Sequence, residues 1–398
     1  MNAQLPVVSV IVPVYNAGAF LRRTLDCICG QTLHEVEIIL VDDGSTDDSR
    51  SIQQEYAARD SRIILLQQEH EYAGVARNKG MAIARGKYLS FLDADDLFEP
   101  TMLEKMVARA EEVEADVVVC RCDIFYKEGE YTPLTWQIRD RYLTDLNRKK
   151  FSLKKEYPQA TFQTFIGWAW DKLFLAEYVK EKGFRFGATR HGNDAPFVFP
   201  AVAAAGCISI IDESLVKYRK STGQISASVN VDKSLGECID IIENVRGELI
   251  KQNLNPLVLD SFYVWLAHYI NWHMYKLNTD KCMVLKELVY ARFGHEMKDF
   301  FTDRKEVNAT QPYYKEDEFW LDSYFFKMMI NEPEAWERYI RLYNRANQFA
   351  LTKLFFLKTP TRTCYRIMGI NIFTKKITRS HIEYRFMGIK VCKNQHNW

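Results

Sequence analysis

The sequence has no apolar run approaching the roughly 18 to 20 residues that a membrane-spanning helix needs. It has no charge excess: 53 Lys plus Arg against 52 Asp plus Glu leave +1, so net charge does not point to nucleic acid as a partner. The N-terminal stretch lacks the basic start and small-residue cleavage site of a signal peptide, so a cytoplasmic location is expected. The nine cysteines are scattered, and Cys27/Cys29 and Cys120/Cys122 match no zinc spacing; buried, reduced thiols are expected. Neither G-x-G-x-x-G after the first apolar run nor a P-loop is found, which argues against a dinucleotide oxidoreductase and a P-loop ATPase. What is present is an ordinary globular composition, 47% hydrophobic and 26% charged. At 398 residues it is long enough for two or three domains with a sizeable core.

Apolar runs rich in Val, Ile, Leu and Phe recur at 7–12, 37–41, 62–66, 87–92 and 116–121, with helical patterns between most of them. Leu21, Leu25 and Ile28 share a helical spacing. Ser45 and Asp48 read as a capping box before Ile52 and Tyr56. Pro100 suits a first helical position, and Leu103, Met106, Val107, Ala110 and Val113 form one apolar face. Buried strands alternating with amphipathic helices predict an α/β domain with a mostly parallel sheet flanked by helices. Such sheets bind ligands beyond the carboxyl ends of their strands. Those ends carry Pro13-Val14-Tyr15-Asn16, Asp42-Asp43-Gly44-Ser45, Glu71-Tyr72-Ala73-Gly74 and Asp93-Ala94-Asp95-Asp96.

The chemistry of these loops is acidic and anion-binding together. Asp93 and Asp95, one residue apart after a buried strand, suit a hard divalent cation that completes its shell with phosphate oxygens. The structural alternative is that Asp95 or Asp96 caps the helix near Pro100. Asp42 and Asp43 can accept from a base N–H or a ribose hydroxyl, or can form an Asx-turn. Arg77 and Lys79 read as first-turn residues of a helix, where the dipole disfavours cations unless an anion binds. Gly74 would let backbone approach that ligand.

With these residues in place, the chain resembles the family 2 glycosyltransferases of the GT-A fold. The matching segments are VSVIVPVYNAGAFLRRTLDCICGQT, VEIILVDDGSTDDS, AGVARNKGMAIARGKYLSFLDADDLFEP and WAWDKLFLAEYV, and with Tyr218-Arg219 they cover roughly residues 5 to 228. The resemblance implies an inverting enzyme with a nucleotide-diphosphate-sugar donor, most often a UDP-sugar, and Mn²⁺ or Mg²⁺. It implies Pro13, Tyr15, Asn16 and Asp42 around the nucleotide, with Gly74, Arg77, Asn78 and Asp93 along ribose, diphosphate and sugar. Asp95 would hold the metal. The base would be Asp194, in His191-Gly192-Asn193-Asp194, with Asn193 replacing the family's acid. Losing that like charge would lower the Asp194 pKa relative to a Glu-Asp relative. A simple helix N-cap ahead of Pro196 is the structural alternative, and His191 is the second choice of base. Arg219 and Lys220 would begin a loop, through Ser226, that closes on the phosphates. The family's additional histidine ligand has no counterpart between His191 and His268.

The division expected is 1–115 for the nucleotide-sugar half, 116–231 for the acceptor half, 232–350 for a helical domain and 351–398 for a tail. In the helical part Trp265, His268, Tyr269, Trp272, His273 and Tyr275 read as a packed aromatic core. The tail holds ten Lys or Arg and one acid, Glu383, between Lys353 and Lys393. Tyr365-Arg366-Ile367-Met368-Gly369-Ile370 and Tyr384-Arg385-Phe386-Met387-Gly388-Ile389 read as a repeated strand or turn. Basic residues among aromatics suit an anionic membrane surface or the outer face of a packed tail. The expected acceptor is a glycan or lipid-linked oligosaccharide in capsular, lipopolysaccharide or exopolysaccharide assembly. The rivals are an inactive relative that binds nucleotide-sugar or glycan, and a nucleotidyltransferase, whose Gly-rich basic loop after the first strand is missing.

Overall fold

The computed structural model describes residues 5–143, 147–220, 235–274, 277–302, five positions between 329 and 340, and the strands between 356 and 395. The chain divides into two compact units, Met1–Leu266 and Ala267–Trp398. The division expected at 231/232, and the loop through Ser226, lie outside the described residues.

The first unit alternates strand and helix: β1 (Val8–Val14), α1 (Gly18–Cys29), β2 (Val36–Asp43), α2 (Ser49–Arg59), β3 (Ile63–Gln68), α3 (Tyr72–Ile83), β4 (Tyr88–Phe91), β5 (Leu97–Phe98) and α4 (Met102–Val113). It continues with β6 (Val117–Phe125), β7 (Tyr131–Pro133), short turns α5 (Leu153–Glu156) and α6 (Thr161–Thr164), β8 (Lys172–Leu175), α7 (Ala176–Lys182), α8 (Ala195–Ala204), β9 (Ile208–Arg219) and α9 (Leu235–Lys251). The strands form one nine-stranded sheet in the order β3-β2-β1-β4-β8-β6-β9-β5, with β7 on β6. β3, β2, β1 and β4 pair in parallel, as do β6 and β9, while β8 runs antiparallel to both its neighbours. The expected mostly parallel sheet is therefore present, with β8, β5 and β7 reversed.

The β1 sequence VSVIVPV is buried at every position, because helices cover both faces of the sheet. Val8, Val10, Val12 and Val14 pack with Leu21, Leu25 and Ile28 of α1 and with Leu103 and Met106 of α4. Ile11, Ile39 and Val41 pack with Ala76 of α3 and Val198, Ala201 and Val202 of α8. Pro13 is tolerated in this central strand for a local reason. The Leu92 amide donates to Ile11 O, the last β4 bond on that side, so Pro13 faces the same way beyond the end of the ladder.

The starts of α2 and α4 differ from expectation. α2 is opened by Asp47, whose carboxylate accepts from the Ser49 and Gly18 amides at 3.0 and 2.9 Å; Ser45 and Asp48 make no capping box. α4 begins at Met102 with no side-chain cap, so Pro100 precedes the helix and neither Asp95 nor Asp96 caps it.

α10 (Pro256–Met274) starts in the first unit, where Trp265 packs against Phe162, Phe199 and Phe262, as the aromatic-core reading expected. In the second unit α11 spans Thr279–Thr302, and His273 Nδ1 lies 2.7 Å from Tyr269 O. Tyr275 lies outside the described residues. The tail forms an antiparallel meander of β10 (Phe356–Thr359), β11 (Arg362–Ile367), β12 (Ile370–Ile377), β13 (His381–Phe386) and β14 (Ile389–Gln395). The two Tyr-Arg-x-Met-Gly-Ile phrases each end one strand and start the next, with a bulge at Tyr365/Arg366 and at Tyr384/Arg385. Among the described residues no helix is long and apolar enough to cross a membrane.

Candidate active site

The carboxyl ends of β1, β2 and β4 and the start of α8 bring most of the expected residues together. At the β1 end Tyr15 is 45% exposed and stacks on His70, with ring centroids 3.9 Å apart. Asn16, at φ +48°, accepts from the Thr46 amide at 2.8 Å and ties this loop to the β2 exit. Asp42 is buried and accepts from Gln53 at 3.3 Å. Asp43 is committed to the protein: its carboxylate meets Gln68, the Glu71 amide and His70 Nδ1 at 2.7, 2.8 and 2.9 Å. His70 escaped the sequence reading. It follows β3, and a position just beyond a parallel strand's carboxyl end was the available signal.

Arg77 is the hub of the site, in a role that differs from the expected one. α3 begins at Tyr72, so Arg77 lies in its second turn and the helix-dipole argument does not apply. Its guanidinium is buried, lies over the Phe186 ring, and binds Asn193 Oδ1 at 2.8 Å, Asp194 Oδ1 at 2.7 Å and Asp93 Oδ1 at 2.6 Å. Asn78 exchanges two hydrogen bonds with the Phe186 backbone, at 2.9 and 3.0 Å, and so fixes the chain leading to α8. Gly74 is required for close approach by the protein itself: a Cβ there would sit 1.9 Å from Gly187 O. Lys79 donates to Gln67 O.

Asp194 flanks the first turn of α8 but makes no side-chain cap; its carboxylate turns to Arg77 instead. Burial pushes its pKa up to about 6, against the lowering pull of Arg77; Asp93 raises it further, while Lys172 and the Ala169 amide lower it. A carboxyl with a pKa of about 6 is largely ionised at neutral pH yet still basic enough to take a proton. Asn193 is buried with its amide held by Arg77 and Thr189 O. His191 points to α9, its Nδ1 3.3 Å from Glu237 and its Nε2 3.7 Å from Cys238 Sγ, and lies outside the Arg77 cluster.

The β4 exit gathers three carboxylates. Asp96 is wholly buried, accepts from the Arg219 amide at 2.7 Å and keeps Oδ2 without a partner. Burial, then Asp95 and Asp93, push its pKa well above the usual range. Arg219 lies between the Phe20 and Phe125 rings, 4.7 and 4.6 Å from their centroids, and its Nε donates to Asp95 O. A set of hard oxygen donors with excess negative charge fits a divalent cation, with Asp95 the expected ligand.

The family-like WAWDKLF segment builds the neighbouring wall. Lys172 is fully buried and binds Asp171, Trp168 O and Ile166 O at 2.7, 2.8 and 3.1 Å, which pins the turn carrying Trp168, Ala169 and Trp170.

Comparisons with known proteins agree with this architecture. A family model described as glycosyl transferase family 2 matches residues 9–179. Glycosyltransferase GlyG of Streptococcus pneumoniae is 31% identical over 59% of this chain and 77% of its own length. The uncharacterized glycosyltransferase EpsJ of Bacillus subtilis is 33% identical over 56% of this chain, and the alignment spans 63% of EpsJ. The first curated relatives are thus matched over about three fifths of their length. A structure of S. aureus TarS 1–349 shares the fold at TM-score 0.51 and 15% identity, over 96% of this chain and 99% of that one.

Proposed function

The chain belongs to glycosyl transferase family 2, and on that premise we propose that it is an inverting, divalent-cation-dependent glycosyltransferase using a nucleotide-diphosphate-sugar. The observation that carries the reading is the buried Arg77 fork joining Asp93, at the β4 exit, to Asp194, at the start of α8. It sets a donor-side acid and a carboxylate with a pKa near 6 on opposite sides of one cation.

In this mechanism Pro13, Tyr15, Asn16 and Asp42 receive the nucleotide, and Asp93 faces the ribose or donor sugar. Asp95 would hold Mn²⁺ or Mg²⁺, which when bound neutralises charge on the leaving diphosphate. Asp194 accepts the acceptor hydroxyl's proton as its oxygen attacks the anomeric carbon and the bond to the diphosphate breaks. Arg219, held between Phe20 and Phe125, adds positive charge near the leaving group. Arg77, Asn78 and Gly74 act from behind, by fixing this frame.

UDP-sugars are the first donors to test, since a structure of TarS, alike in fold at TM-score 0.50, is a complex with UDP. The acceptor class is a bacterial surface glycan or lipid-linked oligosaccharide. Contact with an anionic membrane is supported by the register of the tail, where Arg362, Lys376, Glu383 and Lys393 form one row across four strands. The test is turnover of a nucleotide-sugar panel by the parent and by Asp194→Asn. Loss of turnover with nucleotide binding kept supports the reading; binding without turnover in the parent would make the chain an inactive binder.

A further inference from the structure

An aromatic file runs from solvent to the acidic end of the sheet. Trp136 is 49% exposed and meets Trp168 edge-on, with centroids 5.5 Å apart. Trp168 stacks on Trp170 at 4.8 Å and lies 5.4 Å from Tyr218. Tyr218 stacks on Trp170 in turn, and its hydroxyl feels the charges of Asp96, Asp93 and Asp95.

Trp170 belongs to the core and Trp168 and Tyr218 pack against it, but the exposed Trp136 is not explained by it. Trp136 is held in place by its neighbour: Gln137 is fully buried and donates to Cys120 O at 2.9 Å and to Asp171. The backbone therefore presents a large indole to water from an anchored position, at the cost of leaving much of its apolar area uncovered. Trp168 stands on the turn that Lys172 pins by donating to Trp168 O at 2.8 Å, and Lys172 is one of the charges that lower the Asp194 pKa. One short segment thus displays aromatic surface and is fixed by a buried cation whose charge acts on Asp194.

Aromatic surface beside carboxylates and a hydroxyl matches a pyranose ring, which has an apolar C–H face and a polar rim. The donor nucleotide is assigned elsewhere. Tyr15 follows β1 and Asp42 lies near the end of β2, whereas Trp168 precedes β8 and Trp136 follows β7, on the other half of the sheet. We infer that Trp136 and Trp168 form a platform for the acceptor, on which a hexopyranose ring packs its C–H face with its hydroxyls turned toward Asp194. The acceptor assignment rests on the glycosyltransferase reading; the sugar platform stands on the rings themselves.

The test uses saturation-transfer NMR on the full chain with the methyl glycosides of glucose, galactose, N-acetylglucosamine and N-acetylgalactosamine. At least one should receive saturation at its ring C–H protons, and adding UDP should not displace it. Trp136→Ala should bind it about tenfold more weakly, as loss of one covered apolar face implies, and Trp136→Phe should recover most of the affinity. Both variants should melt within about 2 °C of the parent, because the ring is half in water. Equal binding by Trp136→Ala, displacement by UDP, or no saturation of any of the four sugars overturns the platform. Donor turnover is measured separately on the parent. Its absence defeats the transferase reading, while binding that depends on Trp136 would still support a sugar platform.

Discussion

Replacing Arg77 by Met would remove the one cation that Asp93, Asn193 and Asp194 share at 2.6 to 2.8 Å. The two carboxylates would then face each other without the cation between them, Asp194 at 17% side-chain exposure and Asp93 at 31%. Breaking a buried ion pair from one side costs about 3 to 5 kcal/mol, a large share of a typical domain's total stability of about 5 to 15 kcal/mol. Urea denaturation at pH 7 should register that loss. The second consequence is electrostatic. Arg77 is the strongest influence lowering the Asp194 pKa, so in its absence the value of about 6 must rise. The sign for stability follows the same shift. The folded pKa lies above that of a free carboxyl, so Asp194 contributes stability at acid pH that is withdrawn as pH rises through about 6. In the rate, turnover by the parent should climb with pH around 6, and Arg77→Lys should move that limb upward. A lysine keeps the charge but cannot span three acceptors with a planar fork, so its stability loss should be about half that of Met. A Met variant within 1 kcal/mol of the parent, by the usual scatter of neutral surface changes, would refute the clamp. So would a Lys variant with an unmoved acid limb.

Three further outcomes follow from the same geometry. Asp93→Asn should shift the acid limb of turnover below that of the parent, because Asp93 raises the Asp194 pKa; an upward shift in the pH–rate profile would contradict this. Lys172→Met should cost about 3 to 5 kcal/mol in urea by stranding buried Asp171, and Asp171→Leu added to it should restore much of the loss; additive losses would count against the pairing. Gly74→Ala should lower the melting temperature by several degrees, since the new Cβ would sit 1.9 Å from Gly187 O; an unchanged transition would mean that the α3–Gly187 contact is looser than described.

Much of the first unit was legible because its signals are local and redundant. All five apolar runs became strands, and the face of Leu103, Met106, Val107, Ala110 and Val113 became α4. The acidic and polar strand ends were legible too, since a parallel sheet gathers its loops at one edge. What escaped depends on contacts between distant residues. Arg77 was read as a ligand group because a cation near a helix start looks unpaired in sequence, yet its partners are 16 to 117 positions away. Gly74 signalled close approach correctly, but not that the approaching group is Gly187. His70 and Trp136 carry no motif; they acquire meaning only beside Tyr15 and Trp168. The tail shows the converse case. Its repeated Tyr-Arg-x-Met-Gly-Ile phrases pointed to a strand or turn, and matched bulges now mark each one in the meander.

If Asp194 and Asp95 serve one transfer reaction, a panel of donors reveals it. UDP-, GDP- and dTDP-sugars would be offered with Mn²⁺ or Mg²⁺ to the parent, Asp95→Ala and Asp194→Asn, with membrane extract as acceptor source. Divalent-dependent turnover of one donor by the parent is expected, lost in both variants, with nucleotide binding kept in Asp194→Asn. Turnover undiminished in Asp194→Asn, or a parent that binds nucleotide and turns over no donor, would contradict it.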